Sequence, residues 1–235
     1  MTRLQLFKNV LFTALVGLFG ALTSCSLNSV VNLHDDNSAD VQVTLAWQKP
    51  LEAYWSDLRE LDATLPAHPL EAQTVRAALQ AASQQKDSPL KDPLVSSQER
   101  EVKLSFHWTE QSLEGWGLSL TTTPQGERLN LKWNRQTLLR WLGTTTYAHS
   151  EALSALLPDP ETTATDLANN LAYALGSYAK NSLALVQSSQ VQIVLKLPRP
   201  VKSLTGKATY QGNTVTCRWP LTEFLTQGET LSVTY

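Results

Sequence analysis

"VQVTLAW", residues 41–47, decides how this chain is read, because its apolar residues recur at every second position. Val41, Val43, Leu45 and Trp47 fall on one side, and Gln42, Thr44 and Ala46 on the other. Successive side chains of a strand point to opposite faces, so the alternation predicts a half-buried strand with one face to water. The rhythm then changes. Leu51, Tyr54, Trp55, Leu58, Leu61 and Leu65 follow the spacing of an amphipathic helix, with Pro50 suited to its first turn.

The same test carries along the chain. A second helix opens at Pro69 and turns Leu70, Val75, Ala78, Leu79 and Ala82 inward. Residues 83–98, SQQKDSPLKDPLVSSQ, hold two prolines and no periodicity and read as a loop. Strand patterns follow at Val102–Trp108, Trp116–Leu120 and Leu129–Trp133, with TPQGE (123–127) as the turn between the last two. Asn134 caps a short helix holding Leu138, Leu139 and Leu142, closed by Gly143. A longer helix starts at Asp159-Pro160, with Leu167, Leu171, Ala174, Leu175 and Tyr178 inward. The last third returns to strands at Val191–Leu197, Lys207–Gln211, Thr214–Trp219 and Thr230–Tyr235, and Gly212-Asn213 makes one turn. One-sided alternation without a βαβ rhythm predicts a single α+β domain over residues 41–235. Its antiparallel sheet would have about seven or eight strands, with helices packed on one face.

The N-terminus carries a different signal. Arg3 and Lys8 precede thirteen uncharged residues, Val10–Leu22. A bilayer-spanning helix needs about 20 apolar residues, so the run has the layout of a secretory signal. It ends in Leu22-Thr23-Ser24-Cys25, which resembles the lipobox of bacterial lipoproteins. The resemblance implies that residues 1–24 are a signal peptide cut between Ser24 and Cys25. The Cys25 thiol would carry a diacylglyceryl group, and its new N-terminus is often acylated too. Two or more acyl chains anchor a protein stably to a membrane. Ser26, rather than aspartate, as the second mature residue favours the outer over the inner membrane of the cell envelope. Residues 25–40, mostly small and polar after the lipidated cysteine, read as a flexible tether. The block LPRPVKSLTGKATYQGNTVTCRWPL, residues 197–221, resembles the C-terminal strands of the LppM type of lipoprotein domain. The shared features are a proline-led strand, a glycine turn and a TV-T-W strand, here interrupted by Cys217-Arg218.

Without Arg3 and Lys8 the chain has 17 basic and 21 acidic residues, a net charge of −4, which excludes nucleic-acid binding by overall charge. If Cys25 is lipidated, Cys217 has no partner in the chain. Its position on the apolar side of a strand predicts a buried thiol. The histidines, His34, His68, His107 and His149, stand apart, so spacing supplies no metal site, and no cofactor is expected. Ser177-Tyr178-Ala179-Lys180 matches S-x-x-K, a spacing that puts hydroxyl and amine on one helix face. Ser83–Lys86 and Ser88–Lys91 match it equally, and the partner motifs S-D-N and K-T-G are missing. With no nucleophile elbow or phosphate loop either, the chain reads as non-enzymatic. Of seven tryptophans, Trp47, Trp55, Trp108, Trp133 and Trp219 sit in apolar rows and read as core. Trp116, between Gly115 and Gly117, marks either a close ligand approach or a bulge.

The outward strand positions are unusually basic. Among Glu101, Lys103, His107, Arg128, Lys132, Lys196, Lys207 and Arg218, six are permanently cationic. If these strands share a sheet, its open face would meet an anionic lipid or an acidic protein. Lysines on exposed strands also guard sheets against edge pairing, and this reading competes. The sequence thus points to a membrane-anchored envelope lipoprotein that binds or scaffolds without catalysis. The alternative is a carrier of a lipid or small hydrophobic ligand in a cavity between sheet and helices.

Overall fold

The computed structural model describes residues 25–63, 67, 72–84, 90–109, 118–133, 158–159 and 161–235. The expected signal (1–24, including Ser24), the helix at 134–143, Leu65, Pro69, Trp116, Pro160, His68 and His149 lie outside the described residues. The first half runs β1 (Cys25–Leu33), β2 (Ala39–Trp47), α1 (Lys49–Leu61), α2 (Ala72–Ser83), β3 (Leu90–Gln98) and β4 (Glu101–Trp108). A hairpin follows, β5 (Leu118–Thr123) and β6 (Gly126–Trp133), and then α3 (Ala164–Ala174) and α4 (Ser182–Ser188). The chain closes with β7 (Gln190–Lys196), β8 (Ser203–Thr205), β9 (Ala208–Gln211), β10 (Thr214–Pro220), α5 (Leu221–Thr226) and β11 (Glu229–Thr234).

The fold is mixed α and β, mostly strand, in two sheets rather than one. Seven strands lie in the order β3-β4-β2-β1-β7-β10-β9, and four in the order β5-β6-β11-β8. The larger sheet is not purely antiparallel, since β1 runs parallel to β7 from Ser26–Gln190 to Asn32–Lys196. The smaller is antiparallel throughout. Among the described residues, no helix is long and apolar enough to cross a membrane.

One apolar cluster joins both sheets. It holds Val41, Val43, Leu45 and Trp47 of β2, Leu129 and Leu131 of β6, and Leu231 and Val233 of β11. The alternating strands bury the residues their period predicts: Val102, Leu104, Phe106 and Trp108 on β4, and Val215, Cys217 and Trp219 on β10. Leu51, Trp55 and Leu58 of α1 are buried, and so are Val75 and Leu79 of α2. Trp47, Trp55, Trp108 and Trp219 are core residues, each 5% exposed or less. Trp219 stacks at 5.6 Å on Phe224 of α5.

Several expectations are corrected. The tether does not extend over Cys25–Leu33, which is strand β1, paired on both sides. Serine and asparagine are weak strand formers, but two neighbouring strands satisfy this backbone, and Leu33 is buried. The expected loop at 83–98 contains edge strand β3, where Pro93 is tolerated because an edge need not donate every N–H. The ladder shifts register between Lys91 and Leu94, with Asp92 at φ 51°. The longer helix starts at Ala164, not at Asp159-Pro160. Thr163 and Asp166 form a capping box, with Asp166 N–H donating to the Thr163 hydroxyl at 3.1 Å. Leu61, expected inward, is 84% exposed at the end of α1. Ser177 and Lys180 lie in exposed turns beyond α3, not on one helix face.

The smaller sheet closes with the C-terminus. Tyr235 N–H donates to Glu127 O at 2.9 Å, and Glu127 N–H to Tyr235 O at 3.2 Å. Gly126 sits beside this pair at φ 136°, and a Cβ there would lie 2.3 Å from the Tyr235 carbonyl oxygen. Gly126→Ala is therefore expected to destabilise the protein by about 1–3 kcal/mol, read as a lower urea midpoint. Burial pushes the Cys217 thiol up to about 12, with Glu229 adding to the shift. Iodoacetamide at mildly alkaline pH is expected to spare Cys217 in the native protein and modify it after denaturation.

Candidate functional site

The period that buries one face of the seven-stranded sheet leaves the other in water. Directly paired residues share a face, so the register lays out this surface row by row. One row runs Lys91, His107, Asp40, Asn32, Lys196 and Thr214 across β3, β4, β2, β1, β7 and β10. Two steps further along β4 and β2 lies a second row, Ser96, Lys103, Thr44, Asn28, Gln192 and Arg218. The face is mostly polar, with Lys91, Lys103, Lys196 and Arg218 exposed on it, while the row between these two carries Leu94, Val30 and Val194.

Some of these cations are engaged. Lys103 Nζ lies 2.8 Å from Glu101, and Arg218 Nη2 donates to Gln192 Oε1 at 2.9 Å. A cleft of about 560 Å³ borders this face, where Arg76 and Gln80 of α2 approach Gln42, Thr44, Lys103 and Ser105. Arg76 braces its wall by donating to Val95 O at 2.9 Å.

The six predicted cations do not form one patch. Lys103, Lys196 and Arg218 share the open face of the larger sheet. Arg128 and Lys132 are on β6 of the smaller sheet. Lys207 stands just before β9 and, at the surface, bridges Glu223 (3.2 Å) and Glu229 (3.5 Å) of its own chain. The hydrogen bond to Glu223 comes first among the causes that hold the Lys207 ammonium above its ordinary value. Lys91, hidden by the loop reading of 83–98, joins the face instead.

At one end of the open face the fold assembles a group that spacing did not reveal. His107 Nδ1 donates to Asp40 Oδ1 at 2.7 Å, and His34 Nε2 to Asp40 Oδ2 at 3.0 Å. A carboxylate only accepts, so both nitrogens facing it carry protons. Asp40 and His107 are direct partners in the β2–β4 ladder. His34 arrives from the turn joining β1 to β2, with its ring centroid 6.1 Å from that of His107. The turn is internally held: His34 N–H donates to Ser38 O at 2.9 Å, and the Ser38 hydroxyl to Asp36 at 2.6 Å. The available signal was one of strand register. His107 is an outward residue of β4, and Asp40 begins the strand that β4 pairs with. Their separation of 67 residues hides this in sequence.

A second contact lies elsewhere. The Tyr178 hydroxyl donates to Asp57 of α1, and its ring meets Tyr54 edge-on at 5.7 Å. The Asp57 hydrogen bond pushes Tyr178 up to about 12. This fastens the turn after α3 to α1.

No protein-family model matches the chain, and no curated protein matches it in sequence.

The hydrogen bond from His107 is the largest cause that holds the Asp40 carboxyl below its ordinary 3.8, with His34 helping and partial burial opposing. A carboxyl lowered in the folded state stabilises the fold above its unfolded value, and this is lost as pH falls through the folded value. Asp40→Asn is therefore expected to reduce stability at neutral pH, by less than about 1 kcal/mol because the site is half in water. The difference from the wild type should vanish as acid protonates Asp40, which urea titrations across the acidic range would read.

Proposed function

We propose that the chain is a membrane-anchored lipoprotein of the bacterial cell envelope, with its open sheet face as a non-enzymatic docking surface for anionic partners. Cys25 carries the acyl chains, and the outer side of the larger sheet, bordered by α2 at the cleft with Arg76 and Gln80, is the side that binds. The reading rests chiefly on charge segregation. Lys91, Lys103, Lys196 and Arg218 outnumber the acids Asp40 and Glu101 on one face of a protein whose formal net charge is −2. Anionic lipid headgroups suit this arrangement, since several weak, separated cations sum to a salt-sensitive attraction without a deep pocket. The N-terminal pattern supports the anchor, and Ser26 behind the cysteine favours the outer membrane.

Cys25 is also the first residue of β1, which leaves no slack between anchor and sheet. Lipidation there holds the Cys25–Trp47 end of the sheet against the bilayer. The other end of β1 stands about 26 Å away, at about 3.3 Å per residue.

Two experiments test this reading. With labelled palmitate in a bacterial host, the full chain is expected to be labelled and recovered with membranes, and Cys25→Ser to lose the label. A labelled Cys25→Ser chain, or an unlabelled wild type, removes the anchor. A form beginning at Ser26 is expected to co-sediment with phosphatidylglycerol vesicles at low salt and to be released at high salt. Lys196→Glu with Arg218→Glu should weaken this at least about tenfold, about 1.4 kcal/mol. Lys132→Glu, on the other sheet, should leave it unchanged. Equal binding to zwitterionic vesicles, or indifference to the charge reversals, refutes the docking face.

A further inference from the structure

We propose that His34, Asp40 and His107 form a binding site for one zinc ion at the end of the open sheet face away from Cys25. The inference is independent of the lipid anchor and of anionic partners. It rests on convergence: two imidazoles from different elements turn a ring nitrogen toward the same carboxylate. One ligand atom from each of the three residues can be chosen so that all lie within 4.8 Å of one another. Zinc takes imidazole nitrogen at about 2.0–2.1 Å and carboxylate oxygen at about 2.0–2.2 Å, which sets tetrahedral neighbours about 3.4 Å apart. The ligand atoms, now at most 4.8 Å from one another, therefore need to draw together by no more than about 1.4 Å around the ion.

The supports of the site are rigid where it matters and open where an ion must enter. Asp40 and His107 are fixed opposite one another by the β2–β4 register. His34 is fixed by the turn whose backbone it bonds to at Ser38. The side chains of His34, Asp40 and His107 remain 39%, 53% and 34% exposed, so water and ions reach them. Asp35 and Asp36 of the same turn add negative charge, while Lys91, next to His107 on β3, opposes it from the end of a flexible, exposed stem.

Binding puts the ion in place of the two protons that now face Asp40. Each neutral ring then carries its proton on its other nitrogen, and a charged ring releases one to solvent. Two histidines and one carboxylate leave a fourth position for water or for a ligand supplied by a partner. Nitrogen and oxygen donors without thiolate suit zinc and its neighbours in the divalent series better than magnesium or calcium, which prefer all-oxygen sites.

The test uses the full chain in detergent, stripped with EDTA and titrated with Co²⁺ as a visible probe, then with Zn²⁺ in competition. The expected result is one saturable Co²⁺ per chain, with visible d–d bands that one equivalent of Zn²⁺ abolishes. Loss of an outer-sphere partner alone weakens metal sites about 10–100-fold, so His34→Ala, Asp40→Asn and His107→Ala should each weaken binding at least about tenfold. Lys132→Glu should not. Far-UV circular dichroism checks each variant, and His34→Ala, in the turn, decides if His107→Ala fails to fold. Histidine-labelled NMR of the unmutated chain gives the same answer directly, since one equivalent of Zn²⁺ should shift two of the four imidazoles. The proposal is overturned if His34→Ala binds as tightly as the wild type or if Zn²⁺ moves no imidazole. A near-ultraviolet thiolate-to-cobalt band lost in Cys25→Ser would also overturn it, by placing the metal on that cysteine.

Discussion

The structure hangs on β1, a strand of weak formers held between two others. It pairs antiparallel with β2 over Cys25–Leu33 and parallel with β7 over Ser26–Asn32. The second ladder joins the first part of the chain to the last, because β7 brings β10 and β9 behind it. Without β1 the larger sheet falls into a β3-β4-β2 half and a β7-β10-β9 half, each with a bare inner edge. Unpaired backbone groups at such edges are costly inside a protein, so the two ladders hold β1 where its own propensity would not. The core then follows, since Leu33 and the buried rows of β2 and β7 reach one cluster with the smaller sheet.

The same strand organises the polar side. Its outward residues Ser26, Asn28, Val30 and Asn32 are uncharged, so they separate Lys103 on β4 from Arg218 and Lys196 on the far side without neutralising them. Where β1 ends, the tight turn to β2 returns the chain so that His34 and Asp40, six residues apart, meet at the sheet rim. Register alone supplies His107. A slip of one residue between β2 and β4 would turn His107 away from Asp40 and bury Lys103, so the hydrophobic pattern that fixes register also fixes the cluster.

In the proposed reading the anchor and the histidine cluster lie at opposite ends of β1, and the docking face spans the sheet between them. The acyl chains would hold one end of β1, while Lys91 and Lys196 share the row of His107 and Asp40 towards its other end. A strand that starts at the anchor transmits orientation, which a flexible tether would not.

Elements whose side chains alternate or follow helical spacing were legible without coordinates. β2, β4, the β9–β10 hairpin and the buried faces of α1 and α2 belong to this class, because burial of an amphipathic face is written locally. Cys217 belongs with them, since its place in VTCRWP already set it inward. What misled was local propensity opposed by tertiary pairing. Ser26–Asn32 reads as tether, and Lys91–Gln98 as loop with its proline, until neighbouring strands supply their hydrogen bonds. The division of five of the six cations between two sheets, and the parallel β1–β7 ladder, depend on contacts between residues far apart in the chain. So does the meeting of His34 and Asp40 with His107. The sequence by itself determined which side of each amphipathic element faces the core, because that is a property of a few consecutive residues. Only the tertiary structure decided which strands are neighbours, and hence which polar side chains meet, because pairing is settled by the burial of the whole sheet.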